Sequence, residues 1–286
     1  MISGSTQLIC LFGSPVEHSK SPAIHNTAFE ALHLNYSYLA FDISKEQIAQ
    51  ATEAMRVLPI VGCNLTMPLK TAVIPYLDHL SVASTLCSSV NTITNKNGVL
   101  YGDTTDGIGY IHSLRAEGFH TKGAVMTCLG AGGAATSICT QAALENFDSI
   151  YIFKRKNATY ENTLSFAKNL QKETNCKIMV YDMADTSALE SCIKKSTLLV
   201  NATNVGMGDD TTSLVDKSML HPDLFVSDII YHPSMTTLLS DAKAMGCSYK
   251  NGSDMLLYQA AASFHLWTQQ EMPIDLIREK VFSTTI

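Results

Sequence analysis

In "CNLTMPLK", Cys63 to Lys70, an amine follows directly on a proline and a leucine. Pro68 fixes its own φ and biases Met67 toward an extended conformation, so Lys70 falls at a strand-to-helix corner. An amine at such a corner points either into a cleft, where it can take up and return a proton, or at water, where it is one more solvated charge. Two other polar stretches pose the same choice. In "GSPVEHSKSPAIHN", Ser19 and Ser21 flank Lys20 just before Pro22, which suits entry to a helix with proline at its first position. The pair reads as a cap plus a solvated serine, or as two hydroxyls aimed at an anion or a polyol. In "LYGDTTDGIGY", Asp103 and Asp106 lie in a turn-rich segment, where aspartates usually bond their own backbone.

A different chemistry is written in "LGAGGAA", Leu129 to Ala135, which follows a strand-like run and opens a helical pattern. Gly130, Gly132 and Ala135 fit the dinucleotide pattern: the first glycine for a tight turn, the second for close approach to a pyrophosphate, the small third residue for helix-on-strand packing. Gly130, Ala131, Gly132, Gly133 and Ala134 are the expected contacts, with the free N–H groups of the following helix facing phosphate. A merely structural turn is the competing reading. A second strand, "SIYIF", ends about 20 residues on, where the ribose is read. There Lys154, Arg155 and Lys156 form either a cradle for a 2′-phosphate or a solvated basic turn, and no carboxylate stands among them to repel that phosphate.

These residues need elements to hold them. Strand-like runs lie near 7–13, 36–43, 60–66, 124–130, 149–153, 177–182, 197–203 and 224–230, with helical patterns at 22–34, 45–57, 134–146, 159–174, 187–194, 235–245 and 254–268. The alternation predicts an α/β fold with parallel sheets and crossover helices. A length of 286 residues suggests two domains, and a 46% hydrophobic content fills both cores. Twenty Lys and Arg against 26 Asp and Glu leave a net charge of −6, which argues for a small-molecule partner and against nucleic acid or an anionic membrane surface. The eight cysteines show no paired spacing for a metal site or a disulfide framework, and the first residues lack a secretory pattern, so a reduced cytoplasm is the expected location. The charge-free stretch from Gly123 to Leu144 imitates a membrane span, but its hydroxyls and glycine cluster argue against one.

Taken together, "HSKSP", "NLTMPLK", "VNT", "GDTTDGIG", "GAGGAA", "NATNVGM", "SDIIYHPSMTTLL" and "GSDMLLYQAA" resemble, in this order and over essentially the whole chain, the motif series of the shikimate dehydrogenases. The C-terminal segment and the stretch after "IYIF" are most similar to the quinate/shikimate branch, which accepts either polyol acid and is less strict about NAD versus NADP. The resemblance implies an N-terminal α/β substrate domain (1–107, rejoined by 253–286), a Rossmann-type domain (108–252) and a cleft between them. It implies Lys70 and Asp106 as the catalytic pair. Ser19, Ser21, Thr66, Asn91 and Gln259 would hold the carboxylate and ring hydroxyls, with Tyr38 and Tyr231 on the substrate side.

On the cofactor side it implies Asn201, Thr203 and Met207 near the ribose and nicotinamide, Gly252 where backbone approaches the ligand, and Met255 beside it. Asn157 stands where that branch tends to carry aspartate, which leads to NADP as the expected cofactor and NAD as a tolerated second. The chain departs from the family at Thr104, usually asparagine, and at Cys63, usually a smaller residue. No metal is expected, and a monomer or homodimer is. A regulatory protein that binds nucleotide and polyol acid without turnover is the alternative, though it has no need for Lys70 and Asp106. A folate-type dehydrogenase leaves the serine pair and the segment around Gln259 without a task.

Overall fold

The computed structural model describes residues 2–282 and divides the chain into two compact units, Met1–Gly109 with Leu257–Ile286, and Tyr110–Leu256. The first unit carries β1 (Gln7–Gly13), α1 (Ser21–Ala31), β2 (Tyr36–Asp42), α2 (Ile48–Val57), β3 (Ile60–Leu65), α3 (Leu69–Ala72), β4 (His79–Leu80), α4 (Val82–Cys87), β5 (Thr92–Lys96) and β6 (Val99–Asp103). Helix α5 (Asp106–Ala116) leads into the second unit. There follow β7 (Val125–Leu129), α6 (Gly133–Leu144), β8 (Ser149–Lys154), α7 (Tyr160–Glu173), β9 (Lys177–Asp182), α8 (Thr186–Ile193), β10 (Leu198–Asn201), β11 (Phe225–Asp228), α9 (Thr237–Ala244) and β12 (Ser248–Lys250). Helix α10 (Ser253–Thr268) returns the chain to the first unit, which ends with α11 (Ile274–Ile277).

The first sheet has the order β2-β1-β3-β5-β6-β4. Strands β1, β2 and β3 are parallel, β5 runs antiparallel to both β3 and β6, and the central strand β1 is buried from Ile9 to Gly13. Burial on both faces is why "ICLFG" reads as a continuous apolar run rather than an alternating one. The β5–β6 hairpin has no counterpart in the strand-like runs of the sequence. It turns at Asn97 and Gly98, both with positive φ (55° and 86°), the dipeptide that suits a tight hairpin.

In the second unit six parallel strands take the order β12-β11-β10-β7-β8-β9. The strand order reverses between β7 and β10, and a ligand crevice belongs beyond the carboxyl ends of strands at such a point. The charge-free stretch 123–144 resolves into β7 and α6, whose Ala135, Ile138, Cys139, Ala142 and Ala143 are buried. Among the described residues no helix is long and apolar enough to cross a membrane.

Helix α5 was also hidden, because its "DGIG" start reads as a turn. Gly109 has a packing reason: a side chain there would strike the backbone of Gln259, so its absence lets α5 and α10 approach closely. That approach sets the start of α5 beside the face of α10 that carries Gln259. All eight cysteines are buried free thiols. Cys63 sits opposite Cys10 across the β1–β3 ladder, fully buried in the core. Its departure from the family pattern is therefore a matter of packing.

Candidate active site and cofactor cavity

One edge of the first sheet gathers the expected chemistry. Ser19 and Ser21 follow the carboxyl end of β1, Thr66 and Lys70 follow that of β3, and Asp106 follows that of β6. Because β5 is antiparallel, Asn91 enters its beginning at the same edge. Topology alone thus assembles residues that are far apart in sequence.

Lys70 lies in the four-residue helix α3, and its carbonyl accepts from the Val90 N–H at 2.8 Å. Its Nζ donates to Asp106 Oδ2 at 2.6 Å. Asn91 Nδ2 donates to the other oxygen, Oδ1, at 2.9 Å, so both carboxylate oxygens are held. The side chains of Lys70 and Asp106 are 28% and 10% exposed, which keeps the pair reachable for a ligand while limiting water around the carboxylate. The neighbouring Asp103 accepts from the Thr104 N–H and from Ser81 Oγ, a local structural role. The turn-type reading therefore holds for Asp103, and Asp106 instead opens a helix and faces an amine.

Asn91 is fixed from all sides. Its N–H donates to Asp103 O, its carbonyl accepts from the Leu65 N–H, and its Oδ1 accepts from the Thr105 N–H at 2.8 Å. Since that N–H can only meet an acceptor, Nδ2 must face Asp106 and Gln259 Oε1. Behind Asn91 lies a buried polar cluster that motif matching had left without roles: Asn64, Thr92, Thr105 and Ser263. Asn64, Thr92 and Thr105 stood inside quoted motifs. Ser263 follows Gln259 by four residues, one helical turn on the same face, which was the available signal.

The remaining substrate-side residues divide. Ser19 Oγ accepts from the Ser21 N–H at 3.2 Å, while α1 has no side-chain cap at its start. Ser21 is buried and its hydroxyl stands by that of Tyr38. Thr66 packs its methyl against Gly13 at the end of β1. Tyr38, expected on the substrate side, is fully buried, stacked on His25 with ring centroids 4.5 Å apart, and its hydroxyl donates to Asn64 Oδ1 at 2.8 Å. It supports Ser21 and Asn64 from the core, and burial holds its pKa well above the usual tyrosine value. Tyr231 is an exposed residue of the second unit.

In the second unit a cavity of about 420 Å³ opens at the reversal of strand order, lined by Gly130, Ala131, Gly132, Gly133 and Ala134 after β7, by Lys154 at the end of β8 and by Arg155 and Asn157 just after it. Gly130 has φ +105° and lies against the Ala202 carbonyl, where a side chain would not fit. The start of α6 has no side-chain cap, so its first N–H groups are open to an anion. Two cationic side chains on one wall and these amides on another fit a phosphorylated dinucleotide.

Several expected cofactor contacts lie elsewhere. Lys156 reaches toward Asp182 and the Tyr160 ring rather than the cavity. Asn157 lines the cavity, and its Oδ1 accepts from the N–H and the hydroxyl of Thr159. Asn201 is buried and spends its amide on Val205 O, Asp228 Oδ1 and Thr203, so it braces the loop that presents Thr203 to the cavity. Met207 is 55% exposed, and Met255 sits half-buried on α10; neither lines the cavity. Gly252 is outside it too. A side chain there would strike the Ile229 carbonyl, so the close approach is to the chain's own backbone. Asp228, buried beneath the same loop, has its carboxyl pKa raised by desolvation. Among the described residues no group of His, Cys, Asp and Glu could hold a metal ion.

The shikimate dehydrogenase substrate-binding domain matches residues 11–93, and the shikimate 5′-dehydrogenase C-terminal domain matches residues 252–282. A protein of Listeria innocua serovar 6a named shikimate dehydrogenase (NADP(+)) is 44% identical over 283 residues, 98% of this chain and 97% of its own. The crystal structure of the Listeria monocytogenes shikimate 5-dehydrogenase in complex with shikimate and NAD superposes with a TM-score of 0.95 at 42% identity, covering 97% of each chain. Quinate dehydrogenase from Corynebacterium glutamicum in complex with NAD superposes at 0.87 with 26% identity, over 97% of this chain and 99% of that one. With such identity along nearly the whole length, and with its lysine–aspartate pair and dinucleotide cavity formed as described, the chain belongs to the shikimate dehydrogenase family.

Proposed function

We propose that the chain is an NADP-dependent shikimate dehydrogenase that interconverts shikimate and 3-dehydroshikimate, with NAD and quinate as weaker alternatives. The observation that carries the reading is the Lys70–Asp106 pair at 2.6 Å with Asn91 on the second carboxylate oxygen. Oxidising a secondary alcohol requires a group that takes the hydroxyl proton as the hydride leaves. Lys70 takes that role, and Asp106 orients the amine and shares the proton across one short hydrogen bond. In the reverse direction the pair returns the proton to the carbonyl oxygen.

Ser19 and Ser21 hold the substrate carboxylate, and Asn91, Gln259 and Thr66 its ring hydroxyls. Hydroxyls and amides already fixed by the protein discriminate against analogues that would leave them unpaired. NADP, when bound, supplies the hydride acceptor. The loop 130–134 and the start of α6 hold its pyrophosphate, and Lys154 and Arg155 its 2′-phosphate. Incubating the purified protein with shikimate or quinate and each cofactor, and following the absorbance of reduced nicotinamide, tests the proposal. Fast reduction of NADP by shikimate is expected; no reduction with any pairing would leave a binding protein without turnover.

A further inference from the structure

We infer that Ser263 on α10 is a positioning residue for the proton-transfer pair, acting through Thr105 and Asn91. The inference rests on the reading of Lys70 and Asp106 as that pair. Ser263 is fully buried, and its Oγ lies 2.8 Å from Thr92 Oγ1, 3.0 Å from Thr105 Oγ1 and 3.1 Å from both Asn64 Nδ2 and the Gln259 carbonyl. Three hydroxyls from β5, the approach to α5 and the middle of α10 thus meet in one triangle.

Hydrogen counting shows what the serine decides. Asn91 Oδ1 has three donors within reach: the Thr105 N–H at 2.8 Å, Thr92 Oγ1 at 2.9 Å and Thr105 Oγ1 at 3.1 Å. An amide oxygen has two lone pairs, so one donor must go elsewhere. Thr105 Oγ1 also accepts from Asn91 Nδ2 at 3.0 Å, and the surplus proton is drawn off by Ser263 Oγ, which stands as acceptor 3.0 Å from Thr105 Oγ1 and 2.8 Å from Thr92 Oγ1. Ser263 in turn donates to the Gln259 carbonyl. This arrangement satisfies every hydroxyl and leaves Asn91 with its Nδ2 on Asp106. Without the serine oxygen, the Thr105 hydroxyl returns to Asn91 Oδ1, overloads it and pulls the amide away from the carboxylate. Asp106 then loses a donor to its charged form, which raises its affinity for a proton.

Ser263→Ala removes the oxygen and leaves a good helix former, whereas Thr105→Val removes the surplus hydroxyl itself and leaves Asn91 Oδ1 with two donors for its two lone pairs. The measurement is the pH dependence of kcat for shikimate oxidation, with the Michaelis constant for NADP as control. Ser263→Ala is expected to lose about five- to twentyfold in kcat and to move the acid limb upward by at least half a pH unit, with the NADP constant unchanged, whereas Thr105→Val should leave the acid limb in place; an equal upward move in Thr105→Val would overturn the inference. A Ser263→Ala enzyme within twofold of wild type overturns the inference, as does a loss of kcat with the acid limb unmoved, which marks a merely structural serine. An inactive wild type would instead count against the parent proposal, and that is checked before any variant is made.

Discussion

The polar edge of the first sheet and the glycine-lined cavity of the second are built by opposite means. In the first, side chains are spent on one another before any ligand arrives: Asn91 is held by Asp103, Leu65 and Thr105, and Asp106 by Lys70 and Asn91. In the second, the wall is backbone and small residues from 130 to 134, with two long basic side chains from the end of β8. A network of fixed amides and hydroxyls is intolerant of a missing or displaced group, since each loss leaves buried partners unpaired. A backbone cradle binds any pyrophosphate, and flexible cations add affinity for an extra phosphate without excluding its absence. Substrate selectivity should therefore be strict and cofactor selectivity graded.

The largest effect expected from breaking this contrast is at Lys70. Lys70→Ala should lose on the order of a hundred- to ten-thousandfold in kcat, the contribution of positioned acid–base catalysis. Steady-state kinetics with shikimate reads it, and near-wild-type turnover would remove Lys70 from the mechanism. Next come the serines. Ser19→Ala and Ser21→Ala should each raise the Michaelis constant for shikimate by about ten- to a hundredfold, because a hydrogen bond to a charged group contributes about 1.5–3 kcal/mol. An unchanged constant in both would return the pair to a local structural role. The graded side of the contrast is sharpened by Arg155→Ala, which should weaken NADP by about tenfold and NAD by less than twofold, a surface contact to phosphate being partly screened. Equal weakening of both cofactors would place Arg155 on the shared part of the dinucleotide.

The last effect is read in stability rather than in catalysis and concerns the core beneath the substrate edge. His25 is fully buried among Phe29, Tyr38, Phe264 and Trp267, both ring nitrogens lack a hydrogen-bond partner among the described residues, and desolvation lowers its pKa from the ordinary 6.5 to about 3. Between those values the unfolded chain carries a proton that the folded chain refuses, so stability present above pH 6.5 drains away as the pH falls, by up to about 1.4 kcal/mol per unit. Thermal unfolding from pH 7 to 4 should show a shallower acid slope in His25→Leu than in wild type; parallel slopes would mean that another group governs acid stability.

The sequence disclosed the two halves unequally, for a physical reason. Parallel strands buried on both faces and the helices that cover them carry strong periodic patterns, so β1, β9 and α10 could be read almost to the residue. Asn97 and Gly98 signalled the β5–β6 hairpin, but its polar strands lacked an apolar run to draw notice. Helix α5 was obscured by glycines whose purpose, contact with Gln259, is visible only in three dimensions. The same limit explains the site. Residue type and motif order singled out Lys70, Asp106, Asn91 and Gln259, whereas the buried roles of Tyr38, Asn201 and Gly252 depend on partners 23 to 27 residues away: Tyr38 on Asn64, Asn201 on Asp228, Gly252 on Ile229. Motifs name the residues that a site needs without saying which touch the ligand and which hold the others.

The division of labour is tested most directly by a crossed measurement on Lys70→Ala and Arg155→Ala: the dissociation constant for NADP from isothermal titration calorimetry, and the single-turnover rate with shikimate at saturating cofactor. The expected result is a double dissociation. Lys70→Ala should bind NADP within twofold of wild type and lose at least a hundredfold in rate, while Arg155→Ala should bind about tenfold more weakly and keep its saturated rate within threefold. A Lys70→Ala protein that keeps its rate, or variants in which binding and rate fall together, would contradict the assignment of proton transfer to the first unit and cofactor recognition to the second.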